Sequence, residues 1–276
     1  MSISVLILTL NEELNLPRCL ASVSWSDDIV VFDSFSSDRT VEIAKAHGAR
    51  VFQRRFDNER DHRTASLQLP FKYPWVFNPD ADEVAASALR DEMLAKTAPG
   101  GDTHVAYRVR IRNMFMGRWL RHASLYPTWV VRLFRPEALS FERSANLRYV
   151  VGGSEGLLRN DLLHFSFNKG LEAWFEKHNR YSSAEAGETL RALSESRVPL
   201  ADLFTTDPVR RRRALKELSF RLPCRPTLRF LYMYLFRLGF LDGVAGFHYS
   251  RLLSTYEYMI SLKVREIRRR HRNLPF

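Results

Sequence analysis

Cysteine is nearly absent: the 276 residues hold only Cys19 and Cys224. The two are far apart and match neither a zinc-ligand spacing nor a disulfide framework, which fits a reducing compartment. Two phosphate-binding signatures are also missing, the G-x-G-x-x-G turn and the G-x-x-x-x-G-K-[ST] loop, so neither a common dinucleotide fold nor a P-loop is indicated. No apolar run approaches the roughly 20 residues needed to span a bilayer. The opening "MSISVLILTLNEE" has a short apolar stretch with no basic region before it, and it reads as a first strand, not a secretory signal. The catalytic part is therefore expected to stay inside the cell. Internal repeats and low-complexity tracts are lacking too.

Charge is abundant but unevenly placed. Net charge is +11, with 26% charged, 45% hydrophobic and 12% aromatic residues. Residues 1–100 carry 11 Lys/Arg against 15 Asp/Glu, whereas residues 101–276 carry 31 against 16, a net of +15. The basic half suggests an acidic partner: nucleic acid, an anionic membrane or a phosphate-bearing substrate.

Strand and helix patterns alternate through the first hundred residues. "ISVLILTL" is a buried strand, followed by a helix with Leu16, Cys19, Leu20 and Val23 at helical spacing. Cys19 is expected to be packing. "DDIVVFDSFSSD" and "RTVEIAKAHG" repeat the strand and helix, "ARVFQRRF" supplies a third strand, and "ASLQLPFKYPWVFNPDADE" supplies a helix start and a fourth strand. A helix follows from Ser87. Such alternation predicts a mainly parallel sheet flanked by helices. Segments within 104–135 read as further strands, and 157–197 as helix, with Trp174 and Phe175 in its core. A division into 1–156 and 157–276 is expected.

In parallel sheets ligands collect beyond the carboxyl ends of the strands. Those ends carry Thr9, Asn11 and Glu12 after strand one, Asp33 after strand two, and Asp80 and Asp82 after strand four. Two carboxylates at i and i+2 in a turn can converge on one hard divalent cation, which prefers oxygen ligands and bridges to phosphates. The alternative is that Asp80 or Asp82 caps the helix near Ser87. The acidic companions at other strand ends favour the metal.

These segments carry a resemblance. "VLILTLNEELNLPRCLASV", "IVVFDSFSSDRTVEIAKAHGARVF" and "WVFNPDADE", in that order, resemble family 2 glycosyltransferases of the GT-A fold. "YRVRIRNMFMGRW", "VVRLFRP", "LLHFSFNKGLEAWFEKHNRYS" and "LRFLYMYLFRLGFLDGVAGF" extend it toward the bacterial branch that includes lipopolysaccharide-core β-glucosyltransferases. The resemblance implies an inverting transferase using a nucleotide sugar, a UDP-sugar first, with Mg²⁺ or Mn²⁺. Thr9, Asn11, Glu12, Asp33, Arg63 and Asp80 would bind the donor, and Asp80 and Asp82 the metal, with Asp82 central to catalysis. Arg63 sits in "HRT" where the branch has Gln-Arg-Asn. The branch's His-Glu pair, which holds the base, is missing near Asn146 and Leu147, so Glu142 is the first substitute, Glu155 the second and Asp161 the third. His164 and His178 read as hydrogen-bonded structural residues.

The tail has 16 Lys/Arg against 4 Asp/Glu over 208–276, with "RRRR" at 210–213 and the apolar "FLYMYLF" at 230–236 between Arg229 and Arg237. A basic, aromatic amphipathic segment lies in a membrane interface; the alternative is closure of the core. Residues 157–276 are thus expected to form a helical acceptor-binding and membrane-associating extension. The expected site of action is the cytoplasmic, inner face of the bacterial inner membrane, with a lipid-linked or lipopolysaccharide-type glycan as acceptor. Nucleic acid is disfavoured as a partner because the cleft is acidic. A catalytically inactive membrane-bound scaffold of the same fold is the competing reading.

Overall fold

A computed structural model describes residues 3–100, 103–142, 147–195, 205 and 224–276. Asn146 and the 210–213 arginines, invoked above, lie outside the described residues. The chain divides into two compact units, Met1–Trp119 with Tyr126–Lys169, and Leu120–Leu125 with Gly170–Phe276.

The first unit is built on one large sheet. Strands β1 (Ile3–Thr9), β2 (Ile29–Asp33), β3 (Arg50–Gln53) and β4 (Trp75–Phe77) pair in the order β3-β2-β1-β4, all parallel. The side chains of β2 and β4 are buried along their whole length, as expected of strands covered on both faces. Helices α1 (Leu16–Val23), α2 (Thr40–Ala46) and α3 (Glu59–Ser66) are the crossovers. In α1, Leu16, Cys19, Leu20 and Val23 form the buried stripe, and Pro17 pre-sets the first turn. Helix α3 begins earlier than "ASLQLP" suggested, because the Asn58 side chain accepts the Asp61 N–H and caps it there.

The sheet continues through β8 (Thr128–Phe134), β6 (Ala106–Phe115), β11 (Glu155–His164) and β5 (Glu83–Ala85). Strand β8 is antiparallel to both β4 and β6, so β4, β6 and β11 run the same way and end at the same edge as β1. β7 (Arg118–Trp119) folds back on β6 through Met116 and Gly117, both at positive φ, the conformation a two-residue hairpin loop demands. β9 (Leu139–Glu142) and β10 (Arg148–Val151) form a separate hairpin. Helix α4 (Ser87–Thr97) completes the unit. Residues 157–164 are therefore strand and not helix, and the expected boundary at 156 falls inside β11. Its apolar Leu157, Leu158, Leu162 and Leu163 fit either period, and pairing with β6 decides it.

The second unit is helical: α5 (Gly170–Glu195), α6 (Arg225–Leu231), a π-turn over Tyr232–Phe236, a 3-10 turn over Gly239–Asp242 and α7 (Gly243–Arg270). Ala186, Ile260 and Val264 form its buried cluster. Gly246 is required by close approach, because a Cβ there would lie 2.0 Å from the carbonyl oxygen of Gly239. The Asp242 carboxylate accepts the backbone N–H groups of Arg121, His122 and Ala123 at 2.8–3.2 Å. Trp174 is buried as expected; Phe175 is not, and lies exposed on α5.

Candidate active site

Every donor and metal residue named from the sequence lies at or just beyond the carboxyl edge of the sheet, except Arg63 on α3. Thr9 and Asp33 are opposite one another on β1 and β2, and the Thr9 hydroxyl donates to Asp33 Oδ1 at 2.9 Å. Asp33 is fully buried and also accepts from the Ser36 hydroxyl, from the Ser36 N–H at 2.9 Å and from Gln53 Nε2 at 3.0 Å. Burial pushes its pKa up, but these donors outweigh burial and hold it below the usual carboxylate value. Asn11, in the left-handed region, accepts the Ser37 N–H at 2.8 Å. Glu12 receives Asn15 Nδ2 and Lys169 Nζ at 2.8 and 2.6 Å.

The D-x-D turn follows β4. Neither aspartate caps α4, whose N-cap position is Ala86, so the structural alternative is excluded. Asp80 is held by two guanidinium groups, Arg132 and, at 3.5 Å, Arg63. Burial acts to raise its pKa, and the two arginines overcome it, bringing the group to about 2. Glu83 Oε1 accepts from Arg132 at 2.7 Å, and its Oε2 accepts the Asp80 N–H at 2.8 Å. Its burial prevails over Arg132, and the carboxyl is pushed up to about 7. Arg63 also bonds Glu59 at 2.6 Å and Asn78 at 3.3 Å.

Arg132 was not anticipated. Between the Tyr107–Leu133 and Arg108–Val131 pairs the ladder skips one residue, so Arg132 is the extra residue of a β-bulge. Bulges re-aim side chains, and this one turns a charge that is 6% exposed onto Asp80 and Glu83. One signal was readable: an arginine inside the apolar run "WVVRLF" demands a buried partner.

Asp82 meets His164, read from sequence as structural. His164 Nε2 lies 3.2 Å from Asp82 Oδ2, while Nδ1 lies 2.8 Å from Asn113 Oδ1. With Nδ1–H donated to Asn113, a neutral ring would aim the Nε2 lone pair at a carboxylate. Only a proton or a cation relieves that opposition. Burial disfavours the imidazolium, yet the bond to Asp82 and the nearby carboxylates raise its pKa above the ordinary histidine value. Among the described residues no group of three or more His, Cys, Asp or Glu side chains is placed to hold a metal ion; Asp82 and His164 bring one carboxylate oxygen and one imidazole nitrogen together, donor types that a divalent ion accepts. Asp80, already engaged by two arginines, is less available to one.

The base candidates are dispersed. Glu142 is exposed on the β9–β10 hairpin and lies 3.4 Å from Arg148. Glu155 pairs with Arg108 at the amino end of β11. In register, His164 lies opposite Asn113 and Glu155 opposite Ala106, seven steps or about 23 Å apart. Glu155 is therefore at the wrong edge of the sheet for a base beside Asp82. Asp161 is buried and bound by Arg110 at 2.7 Å, Arg112 at 2.6 Å and the Tyr126 hydroxyl, which is a structural engagement. His178 Nδ1–H donates to Trp174 O at 2.8 Å, and the imidazole stacks on the Trp174 ring at 3.7 Å, the structural role expected of it. Cys19 is buried, its thiol pKa raised by burial first and by the neighbouring acids.

A family model described as "Glycosyl transferase family 2" matches residues 4–163. The chain is 25% identical over 286 residues to an uncharacterized glycosyltransferase of Rickettsia typhi, covering 99% of this chain and 89% of that protein. It is 27% identical to the lipopolysaccharide core biosynthesis glycosyltransferase LpsC of Rhizobium meliloti, covering 95% and 91%. Among solved structures it is similar to S. aureus TarS 1-349 in complex with UDP, with a TM-score of 0.42, 16% identity and coverage of 96% and 92%.

Proposed function

The chain belongs to glycosyl transferase family 2 and is a glycosyltransferase of GT-A-like α/β fold, and from that premise we propose metal-dependent, inverting transfer from a nucleotide sugar, UDP-linked, to a lipid-linked or lipopolysaccharide-type glycan. The observation that carries this reading is the carboxyl edge itself. Buried, hydrogen-bonded Asp33 beside Thr9 suits a nucleoside, and the Asp80–Asp82 turn with His164 suits a cation on a diphosphate.

In this reading Asp82 and His164 would hold Mg²⁺ or Mn²⁺, with Asp80 beside them. Such an ion, when bound, would supply Lewis-acid neutralisation of the departing diphosphate. Arg63 and Arg132 fix Asp80. Transfer forms a bond from the acceptor oxygen to the sugar's anomeric carbon and breaks the bond from that carbon to the nucleotide diphosphate. The acceptor's proton passes to a base, for which Glu142 is the proposed group. Glu142→Gln should slow transfer by about 10² to 10⁴ while nucleotide binding persists; an unchanged rate would remove it from the role.

We further propose that residues 1–156 bind the donor and that the helical region works at an anionic membrane, on the inner face of the bacterial inner membrane. No single described helix is long and apolar enough to cross a bilayer; Arg225–Phe236 and Gly239–Arg270 form a pair bent by 73°. Phe236, in the segment bracketed by Arg229 and Arg237, is 81% exposed, and Val244, at the start of α7, is 64% exposed. Apolar groups in water beside arginines suit an interface.

The test is thermal stabilisation by UDP, GDP and dTDP, each with and without Mn²⁺, on wild type and Asp82→Ala. Ligand at 100 times its Kd adds about 2.7 kcal/mol. A Mn²⁺-dependent shift with UDP that Asp82→Ala loses supports the reading. No shift with any nucleotide would overturn it in favour of a non-catalytic scaffold.

A further inference from the structure

A cavity of about 700 Å³ lies against the sheet on the first unit. Its walls include Arg108 of β6, Trp129 and Val131 of β8, Arg148 and Tyr149 of β10, and Glu155 of β11. The volume falls within the range of pockets that enclose small ligands, roughly 300–1,000 Å³. Chemically the wall is unusual: two guanidinium groups and two aromatic rings line one cleft. Each arginine is paired with a carboxylate that a ligand could displace. Arg108 pairs with Glu155, and Arg148 lies 3.4 Å from Glu142, both at accessible positions.

The sequence explains how the charges come to lie together. Arg108, Arg110 and Arg112 alternate along β6 and so share one face. Arg110 stands 5.5 Å from the Trp129 ring, which holds that ring at the cleft. Arg110 and Arg112 are both engaged by buried Asp161. Among the described residues Arg108 pairs with no such buried acid, but with Glu155, which is about one-third exposed.

We propose that this cleft binds an anionic saccharide, a sugar carrying a phosphate or carboxylate, as the acceptor. Guanidinium groups recognise such oxyanions with paired hydrogen bonds, and aromatic faces cover the apolar side of a sugar ring. The direction toward the donor is set by Tyr149. Its ring lines the cleft and stands 6.0 Å from the Arg63 guanidinium, which is itself 3.5 Å from Asp80. The ligand's anion replaces Glu155 at Arg108 and Glu142 at Arg148, which frees Glu142 near the acceptor. The assignment rests on the transferase reading given above.

Binding can be measured without a donor. Deacylated lipopolysaccharide oligosaccharide is titrated calorimetrically into the full chain, intact, after dephosphorylation, and after dephosphorylation with carboxyl reduction. Loss at the second form identifies phosphate, and loss only at the third identifies carboxylate. Equal binding of all three, or no binding of any at millimolar concentration, overturns the cleft's assignment. Arg108→Met and Arg148→Met should each weaken the intact ligand about tenfold or more; wild-type affinity in both would overturn it. Glu155→Gln should tighten binding several-fold, by removing the competing carboxylate, and Arg108→Lys should bind between wild type and Arg108→Met. A purely structural role for the pair would not give a tighter ligand. Stabilisation by UDP, run on the same samples, keeps the two readings apart: its absence counts against the transferase reading, whereas its presence with an indifferent cleft counts against this one alone.

Discussion

The two units handle awkward groups in opposite ways. In the sheet unit, charges that folding removes from water are met by partners: Asp33 by Ser36, Gln53 and Thr9, Glu83 by Arg132, Asp161 by Arg110 and Arg112. In the helical unit the awkward groups are apolar, and many are left in water: Leu235, Phe236, Leu238, Phe240, Leu241 and Val244 follow one another along the bend. An uncompensated buried charge would cost several kcal/mol, so the first arrangement is needed for folding itself. An exposed apolar cluster serves no folding purpose and marks a surface that meets something else.

The largest effect should come from breaking a partner set in the sheet unit. Arg132→Met leaves Arg63 as the one arginine paired with Asp80 among the described residues and removes the ion pair of Glu83. Removing one partner of a buried pair costs about 3–5 kcal/mol, which at about 2–4 °C per kcal/mol lowers Tm by roughly 6–20 °C. Differential scanning calorimetry checks this; a drop of under a few degrees would mean that Glu83 simply takes up a proton, as a group pushed to about 7 could readily do.

The helical unit should answer differently to the same kind of insult. Phe236→Ser removes a ring that is already in water, so Tm should hardly move. Partition onto vesicles of anionic phospholipid should fall, because burying a Phe side chain contributes about 1.5–3 kcal/mol, or roughly ten- to a hundredfold. Co-sedimentation with such vesicles, against vesicles of neutral lipid, reads it out. Unchanged sedimentation would show that this cluster is not the inserted surface.

The same contrast governs what could be read from the sequence. Strands β1 to β4 were legible because parallel strands covered on both faces are continuous apolar runs with polar ends, and those polar ends form the candidate site. Thr9, Asp33, Asp80 and Asp82 follow from that alone. Arg132 was not legible as a site residue because its role depends on a bulge, and a one-residue slip in pairing leaves no mark on composition. His164 is hydrogen-bonded as expected, but its partner Asp82 was not legible because 157–164 was read as helix; their meeting needs β11 and β5 to pair, with His164 opposite Glu83, across a sequence separation of about eighty residues. Glu155 was nominated from proximity in sequence to the missing motif, and strand direction places it at the far edge.

The smallest expected effect probes whether the partner rule extends to the edge of the sheet away from the site. Asp28, just before β2, is buried and accepts from Ser4 Oγ, from the Lys72 N–H at 2.7 Å and from Arg50 at 2.6 Å. Burial raises its pKa, but these donors outweigh it and depress the group below its ordinary value. A depressed carboxyl contributes stability above its unfolded pKa of about 3.9 and loses it as pH falls through the lower folded value. Asp28→Asn keeps the size and one acceptor oxygen but not the charge. Near neutral pH it should cost about 1 kcal/mol, a Tm drop of about 2–4 °C. The gap between the two proteins should narrow as the pH falls below 4, because acid removes from the wild type the charge that the variant already lacks. Parallel melting curves in steps from pH 7 to pH 2.5 measure this. A gap that stayed constant with pH would mean that Asp28 acts by shape alone, and that the partnered charges matter only where the sheet meets its ligands.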